Sequence, residues 1–341
     1  MDYVIGASER SQQRCGFKDD GYWEFVMWCK LVIASLLVAA TFSVQAQVEV
    51  QDEGLLKRAN SLLEKAAEVP PPPHTMLDKK MRADNKALEN PFVIVQHKPN
   101  YVLPFSYVSN PNRQGDTPDT SVDIDHSEAK YQISVKMPIY IADSQDQGLF
   151  FGFTAMSFWQ VYNNDISKPF RETNYEPEIF YNWQSEINLL GYKFNAFQLG
   201  VNHQSNGQNL LRSRSWNRLF GSLLFSDDDS FYYLKAWYRI KEDKKQDSLD
   251  ANGDDNPDIT HYLGHFELGF GKQVGKFKVL SLLRNNLKFS DNKGSLELNL
   301  SYPISSRYEV LLQYFVGYGD SLIDYNRHQQ RIGLGIQMTF L

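Results

Sequence analysis

His203 and Ser205 stand two residues apart in the run Phe197 to Leu219, and Asn217 follows twelve residues after the serine. Those three residue types can cleave an ester. A serine hydroxyl is a poor nucleophile until a base takes its proton. Histidine does this near neutral pH. Its other ring nitrogen needs a partner that holds the tautomer. An asparagine carbonyl can serve, orienting the ring without the charge stabilisation of an aspartate. Parity gives these residues their context. Phe197, Leu199, Val201, His203 and Ser205 would share one face of a strand; Gln198, Gly200, Asn202 and Gln204 would share the other. In the next stretch Asn217, Leu219, Gly221, Leu223 and Phe225 oppose Arg214, Trp216, Arg218 and Phe220. His203 and Ser205 would have Cα atoms about 7 Å apart. Asn217 could meet His203 across an antiparallel ladder at about 5 Å. Taken singly, each has a plainer reading: a satisfied strand histidine, a turn serine, a strand-end amide. Together they put three polar groups on mostly apolar faces. If those faces meet lipid, the polar groups gain no hydrogen bonds from their surroundings, and such residues mark function.

The elements around them decide between core and lipid. From about Tyr101 the chain has period two. Twelve segments fit: 101–108, 130–141, 148–162, 174–186, 193–205, 213–226, 231–240, 260–273, 276–287, 294–303, 307–318 and 328–340. Gly, Asn and Asp separate them, as turns require. Their lengths suit tilted membrane strands of about 9–11 residues. A soluble sandwich seldom sets Arg, Lys and Glu on one strand face against an apolar other face across so many strands. The expected fold is all-β: a twelve-stranded antiparallel transmembrane β-barrel with a short N-terminal periplasmic arm. Glu176, Glu178, Arg214, Arg218, Lys235 and Glu297 should point into the lumen. Lys241 to Thr260 is long, polar and acidic and reads mostly as a solvated external loop. Val274-Gly275 and Ser305-Ser306 are short turns of the opposite end. Asp250, Asn252 and Asp254 lack the glycine and distal glutamate of an EF-hand.

Composition agrees. The 341 residues are 22% charged, too polar for a helical membrane protein, yet carry 19 Tyr and 22 Phe, the types that form interfacial girdles of barrels. A net charge of -6 gives no nucleic-acid signal. Lys30 to Ala46 has a lysine, a short apolar run and the small-x-small pattern Val44-Gln45-Ala46, as secretory signals do. Gln47 would be the first mature residue, the functional start would be Met1 or Met27, and Cys15 and Cys29 would be removed with the leader. The expected domains are 1–46, extension and signal; 47–98, periplasmic arm, partly helical or irregular; and 99–341, the barrel. Gly54 to Val69 has helical spacing ended by Pro70 to Pro73. Thr75 to Lys98 is charged and reads as irregular.

NHQSNG followed by SRSWNR resembles the signature of bacterial outer-membrane phospholipase A. PFRETNYEP (Pro169 to Pro177), DDNPDIT (Asp254 to Thr260) and GYGDSLIDYN (Gly317 to Asn326) resemble that family too, in order, from about His97 onward. The resemblance implies an outer-membrane enzyme that hydrolyses phospholipid acyl esters, depends on Ca2+ and works as a homodimer. It implies Ser205 as nucleophile, His203 as base and Asn217 as the orienting residue. It implies calcium ligands at the Ser213 hydroxyl, the Gln208 carbonyl and Ser167 of the second subunit, with Asp255 in a further site. Leu210 stands where that further site has an aspartate. Ala155 stands where a dimer-face glutamine is common. The competing expectations are a non-enzymatic porin or structural barrel, and a barrel acyltransferase acting on lipopolysaccharide.

Overall fold

The computed structural model describes residues 75–90, 92–115, 119–166, 168–189, 191–247, 250 and 253–340. The expected leader, the expected Gly54–Val69 helix and Ser167 lie outside the described residues. Among the described residues no helix is long and apolar enough to cross a membrane; strands make the crossing.

After a two-residue strand β1 (Val95–Gln96), twelve strands follow: β2 (Tyr101–Val108), β3 (Ser127–Ile141), β4 (Gln147–Trp159), β5 (Phe170–Leu189), β6 (Tyr192–Ser205), β7 (Ser215–Ser226), β8 (Ser230–Ile240), β9 (Phe266–Val274), β10 (Phe277–Asn285), β11 (Gly294–Pro303), β12 (Tyr308–Gly317) and β13 (Gln329–Met338). Each pairs antiparallel with the next, and β13 pairs with β2, so the sheet closes on itself without a free edge. β1 pairs with β3 at Lys136 and Val135, just beyond the residues that β2 uses. It thus continues β2 after a break at residues 97–100. At the break His97 turns inward to bond Glu178, and Lys98 meets Glu176 at 2.7 Å.

Side chains alternate as the period-two pattern predicts. Leu199, Val201 and Leu219 are 44%, 48% and 42% exposed, whereas Asn202 and Trp216, of the opposite parity on the same strands, are 4% and 0% exposed. The wide apolar outer surface of the barrel is the lipid-facing band.

The lumen is filled. From the mouth beside the long β8–β9 connection, where Trp216 and Trp237 pack with Ile259 and Leu263 of a short helix and with Leu322 and Tyr325 of a loop, the apolar cluster runs inward through Phe220 and Phe180 to Phe150. Beside them lies an ionic cluster with nearly every side chain buried. Glu128 accepts from Arg171 and Arg331, Asp320 pairs with Arg331 and Lys130, and Asp324 pairs with Arg171. Farther along, Glu176, Glu178, Lys235, Glu267 and Arg284 line a cavity of about 380 Å³. Arg214 is the exception among the expected lumen residues. It lies at the mouth, its guanidinium 5.6 Å from the centre of the Tyr325 ring.

Two segments differ from the sequence expectation. Thr75 to Lys98, read as irregular, carries β1 and helix α1 (Met76–Leu88). Thr75 and Asp78 cap α1 reciprocally. Asn195 and Ser226 donate to Thr75, Asp78 pairs with Lys193 at 3.0 Å, and Asp84 pairs with Lys136 at 2.9 Å. Met76 and Leu77 pack against Phe231, so α1 seals the short-turn end from within. The second difference is α2 (Ile259–Leu263), where the strand pattern predicts the start of β9. Ile259 and Leu263 fall four apart, on one helical face, and both enter the apolar cluster. Gly264, at φ +68°, ends the helix where a Cβ would meet the Asn285 carbonyl at 2.1 Å.

Candidate active site

β6 and β7 are neighbours, and their register sets His203 directly opposite Asn217 and Ser205 opposite Ser215. The ring nitrogen Nδ1 of His203 lies 2.8 Å from Asn217 Oδ1. An amide oxygen only accepts, so Nδ1 carries the proton and Nε2 keeps its lone pair. That is the tautomer a general base needs. Ser205 is one pair farther along the same outer face, at the last residue of β6, with Tyr175 of β5 opposite it on the other side. Among the described residues its hydroxyl makes no hydrogen bond, so no bond to His203 is formed here. All three are partly buried.

The chain between β6 and β7 is held by one side chain. Asn206 is buried, accepts from the backbone N–H groups of Gln208 and Arg214, and donates to the Arg212 carbonyl and to Glu172. Gly207 and Leu210 both take positive φ, at +62° and +54°. For leucine this is an uncommon, strained conformation, imposed by the tightness of the turn. Arg212 reaches the Arg171 carbonyl at 3.1 Å, and Asn256 accepts from the Ser215 N–H at 2.9 Å. The family-like motifs therefore meet at this mouth: Arg171 and Glu172 from one, Asn256 from another, Asp324 from the third.

The residues expected to hold calcium are divided. Ser213 donates its proton to Asp255 at 2.6 Å, which leaves its lone pairs available. Asp255 is also paired with Lys245 at 2.5 Å. Gln208 lies in the same turn. Ser167 lies outside the described residues. Among the described residues no group of three or more His, Cys, Asp or Glu is gathered to hold a metal. The donors present are hard oxygens with little net charge, a set that suits a loosely held calcium ion rather than a soft metal.

Two contacts escape the period-two pattern. Glu242, just past β8, accepts from Asn217 Nδ2 at 2.9 Å. Lys245 neutralises Asp255. Both lie in the loop read as mostly solvated. The available signal was parity carried past the strand end, because Asn217 pairs with Ile240 and Glu242 is two residues beyond it.

The family model described as phospholipase A1 matches residues 77–338. Phospholipase A1 of Escherichia coli (strain K12) is 34% identical over 255 residues, covering 74% of this chain and 84% of the relative. Among solved structures, the Salmonella typhi outer membrane phospholipase dimer with bound calcium superposes with a TM-score of 0.67 at 33% identity, covering 75% of this chain and 96% of that one. An asparagine-to-alanine active-site mutant of the Escherichia coli outer membrane phospholipase A gives a TM-score of 0.67 at 31% identity, covering 76% and 96%. Fold and likeness together define an outer-membrane β-barrel enzyme that acts on lipid. The chain belongs to the phospholipase A1 family and is an outer-membrane phospholipase.

Proposed function

We propose that this phospholipase hydrolyses phospholipid and lysophospholipid acyl esters with Ser205, His203 and Asn217, on the barrel's outer wall. The observation that carries this reading is the 2.8 Å contact between His203 Nδ1 and Asn217 Oδ1, on the face that also bears Ser205. Ser205 Oγ attacks the ester carbonyl as His203 Nε2 takes its proton. Asn217 holds the ring as it becomes charged. The tetrahedral adduct collapses, and His203 protonates the departing alkoxide. Water then gives a proton to His203 and attacks the acyl-serine, and as the fatty acid leaves His203 returns that proton to Ser205 Oγ. A lipid in the outer leaflet reaches this wall without entering the lumen.

Ser213, the Gln208 carbonyl and Ser167 of a second copy would hold calcium in an active homodimer, with Asp255 orienting the Ser213 hydroxyl. Calcium bound there would supply positive charge near the ester oxygen. The bound calcium and the dimeric state of the Salmonella relative support a calcium-dependent homodimer. A mixed-micelle phospholipase assay, run with calcium and with chelator, tests the reading. Ser205→Ala and His203→Ala should each lower turnover about a thousandfold or more, and Asn217→Ala less, because it orients rather than reacts. A sulfonyl fluoride should label Ser205. Wild-type turnover by Ser205→Ala sinks the assignment.

A further inference from the structure

We infer that Glu242 is a positioning residue: its carboxylate fixes the rotamer of the Asn217 amide and, through it, the tautomer of His203. This rests on the reading of Ser205, His203 and Asn217 given above. An asparagine amide is nearly symmetric in shape, and nothing in its outline tells its oxygen from its nitrogen. If the amide turned over, its NH2 would face His203 Nδ1. The ring would then have to accept at Nδ1 and carry its proton on Nε2. Nε2 could no longer take a proton from Ser205. Something must therefore hold the amide in one sense.

Glu242 Oε1 lies 2.9 Å from Asn217 Nδ2. An ionised carboxylate only accepts hydrogen bonds. Reversal of the amide would place its oxygen against that carboxylate, oxygen against oxygen, and lose a charge-assisted bond. Among the described residues Glu242 makes no ion pair, so no lysine or arginine draws its charge away from the amide. The chain of acceptor and donor then runs one way: carboxylate to amide NH2, amide oxygen to Nδ1–H, bare Nε2 towards the serine. Glu242 touches neither the serine nor the lipid ester, so it acts only through Asn217.

The test uses the full-length protein folded in detergent with calcium, assayed on phospholipid–detergent micelles. Glu242→Ala removes the director and should lower kcat roughly fivefold with KM little changed, the worth of about one hydrogen bond. Glu242→Gln can still offer a carbonyl oxygen and should retain most of the wild-type kcat. Glu242→Lys presents only donors, should turn the amide over, and should lower kcat about a hundredfold or more through the wrong tautomer. A second pair does not depend on those variants. Asn217→Asp sets two carboxylates face to face, so they share a proton and the new acid is poorly placed to serve His203. Adding Glu242→Gln gives that aspartate a donor, and the double variant should exceed N217D by about tenfold. The inference is overturned if E242K matches E242A, or if E242Q fails to raise N217D. H203A and S205A run alongside: if either keeps turnover, the underlying reading falls; if both are dead and E242K equals wild type, only the role of Glu242 falls.

Discussion

Replacing Glu128 by glutamine should be among the most destabilising single changes in the barrel. The carboxylate is fully buried. It accepts from Arg171 Nε at 2.9 Å and Nη2 at 3.0 Å, from Arg331 Nη2 at 2.7 Å and from Gln160 Nε2 at 2.9 Å. The cluster balances Glu128, Asp320 and Asp324 against Lys130, Arg171 and Arg331. Glutamine keeps the shape but leaves one positive charge uncompensated away from water. Removing one partner of a buried ion pair costs about 3–5 kcal/mol. Each guanidinium retains another carboxylate, Asp324 for Arg171 and Asp320 for Arg331, which places the expectation near the lower end of that range. Lys130→Met should be harmful alone, since it strips Asp320 of a 3.0 Å contact. Combined with Glu128→Gln it restores neutrality, and the double variant should be more stable than the sum of the singles by about 1–2 kcal/mol. Urea unfolding of the detergent-folded barrel, followed by tryptophan fluorescence and by the gel shift of the heat-modifiable form, measures all four proteins. A Glu128→Gln loss below about 1 kcal/mol, or strict additivity in the double variant, refutes the charge-balance argument.

The lipid-facing wall gives a further expectation: Leu199→Arg should cost roughly 2–4 kcal/mol if the residue lies near the midplane. Cysteines at 199 and 219 should react with a lipid-soluble thiol reagent, and cysteines at 202 and 218 should not; reversed labelling overturns the parity. Burial pushes the Asp78 carboxyl up, but Lys193 and the Thr75 donors outweigh it and hold the group below its ordinary value. Its contribution to seating α1 is thus complete above the unfolded carboxylate range and lost as the pH falls through the lower folded value. Protease cleavage within 76–88 should rise on acidification below about pH 4, and Asp78→Asn should be readily cleaved at neutral pH too. Ser213→Ala and Ser167→Ala should each raise the calcium needed for activity. Mixing the two variants should restore one intact site per mixed dimer if the ligands come from opposite chains; no restoration places both in one chain.

The strands were legible because lipid on one side and a polar lumen on the other impose a two-residue alternation that no loop imitates for long. The same parity put His203 and Asn217 on one face, and a short connection made β6 and β7 neighbours. Parity fails where a helix also satisfies it, as at Ile259 and Leu263. It also says little about what fills the lumen. α1 was hard to read because its seating relies on Asp78, Lys80 and Asp84 as much as on Met76 and Leu77, and a helix placed in a polar barrel needs no clean apolar stripe. Glu242 was hidden for another reason. Its partner lies 25 residues away on a different strand, and the acidic loop around it looks solvated by composition. The motif GYGDSLIDYN carries family likeness, yet inside the mouth Asp320 is spent on Arg331 and Lys130, Asp324 on Arg171, and Ser321 on Asp324. Sequence signature and reactive group are not the same thing here.

The order of events in assembly follows from where α1 sits. It precedes every barrel strand in the chain, yet Thr75 and Asp78 bond to Asn195 and Ser226, 117 to 151 residues later. Those partners have no fixed positions until β6 and β7 are laid side by side. Contacts so distant along the chain form late, because the intervening loop must first be closed. The segment synthesised ahead of the strands is therefore the one that seats after them, and it stays cleavable until then. The delay between gel-shift folding of the barrel and protease resistance at residues 76–88 would time the final step of assembly, when the wall already stands and its inner end is still open.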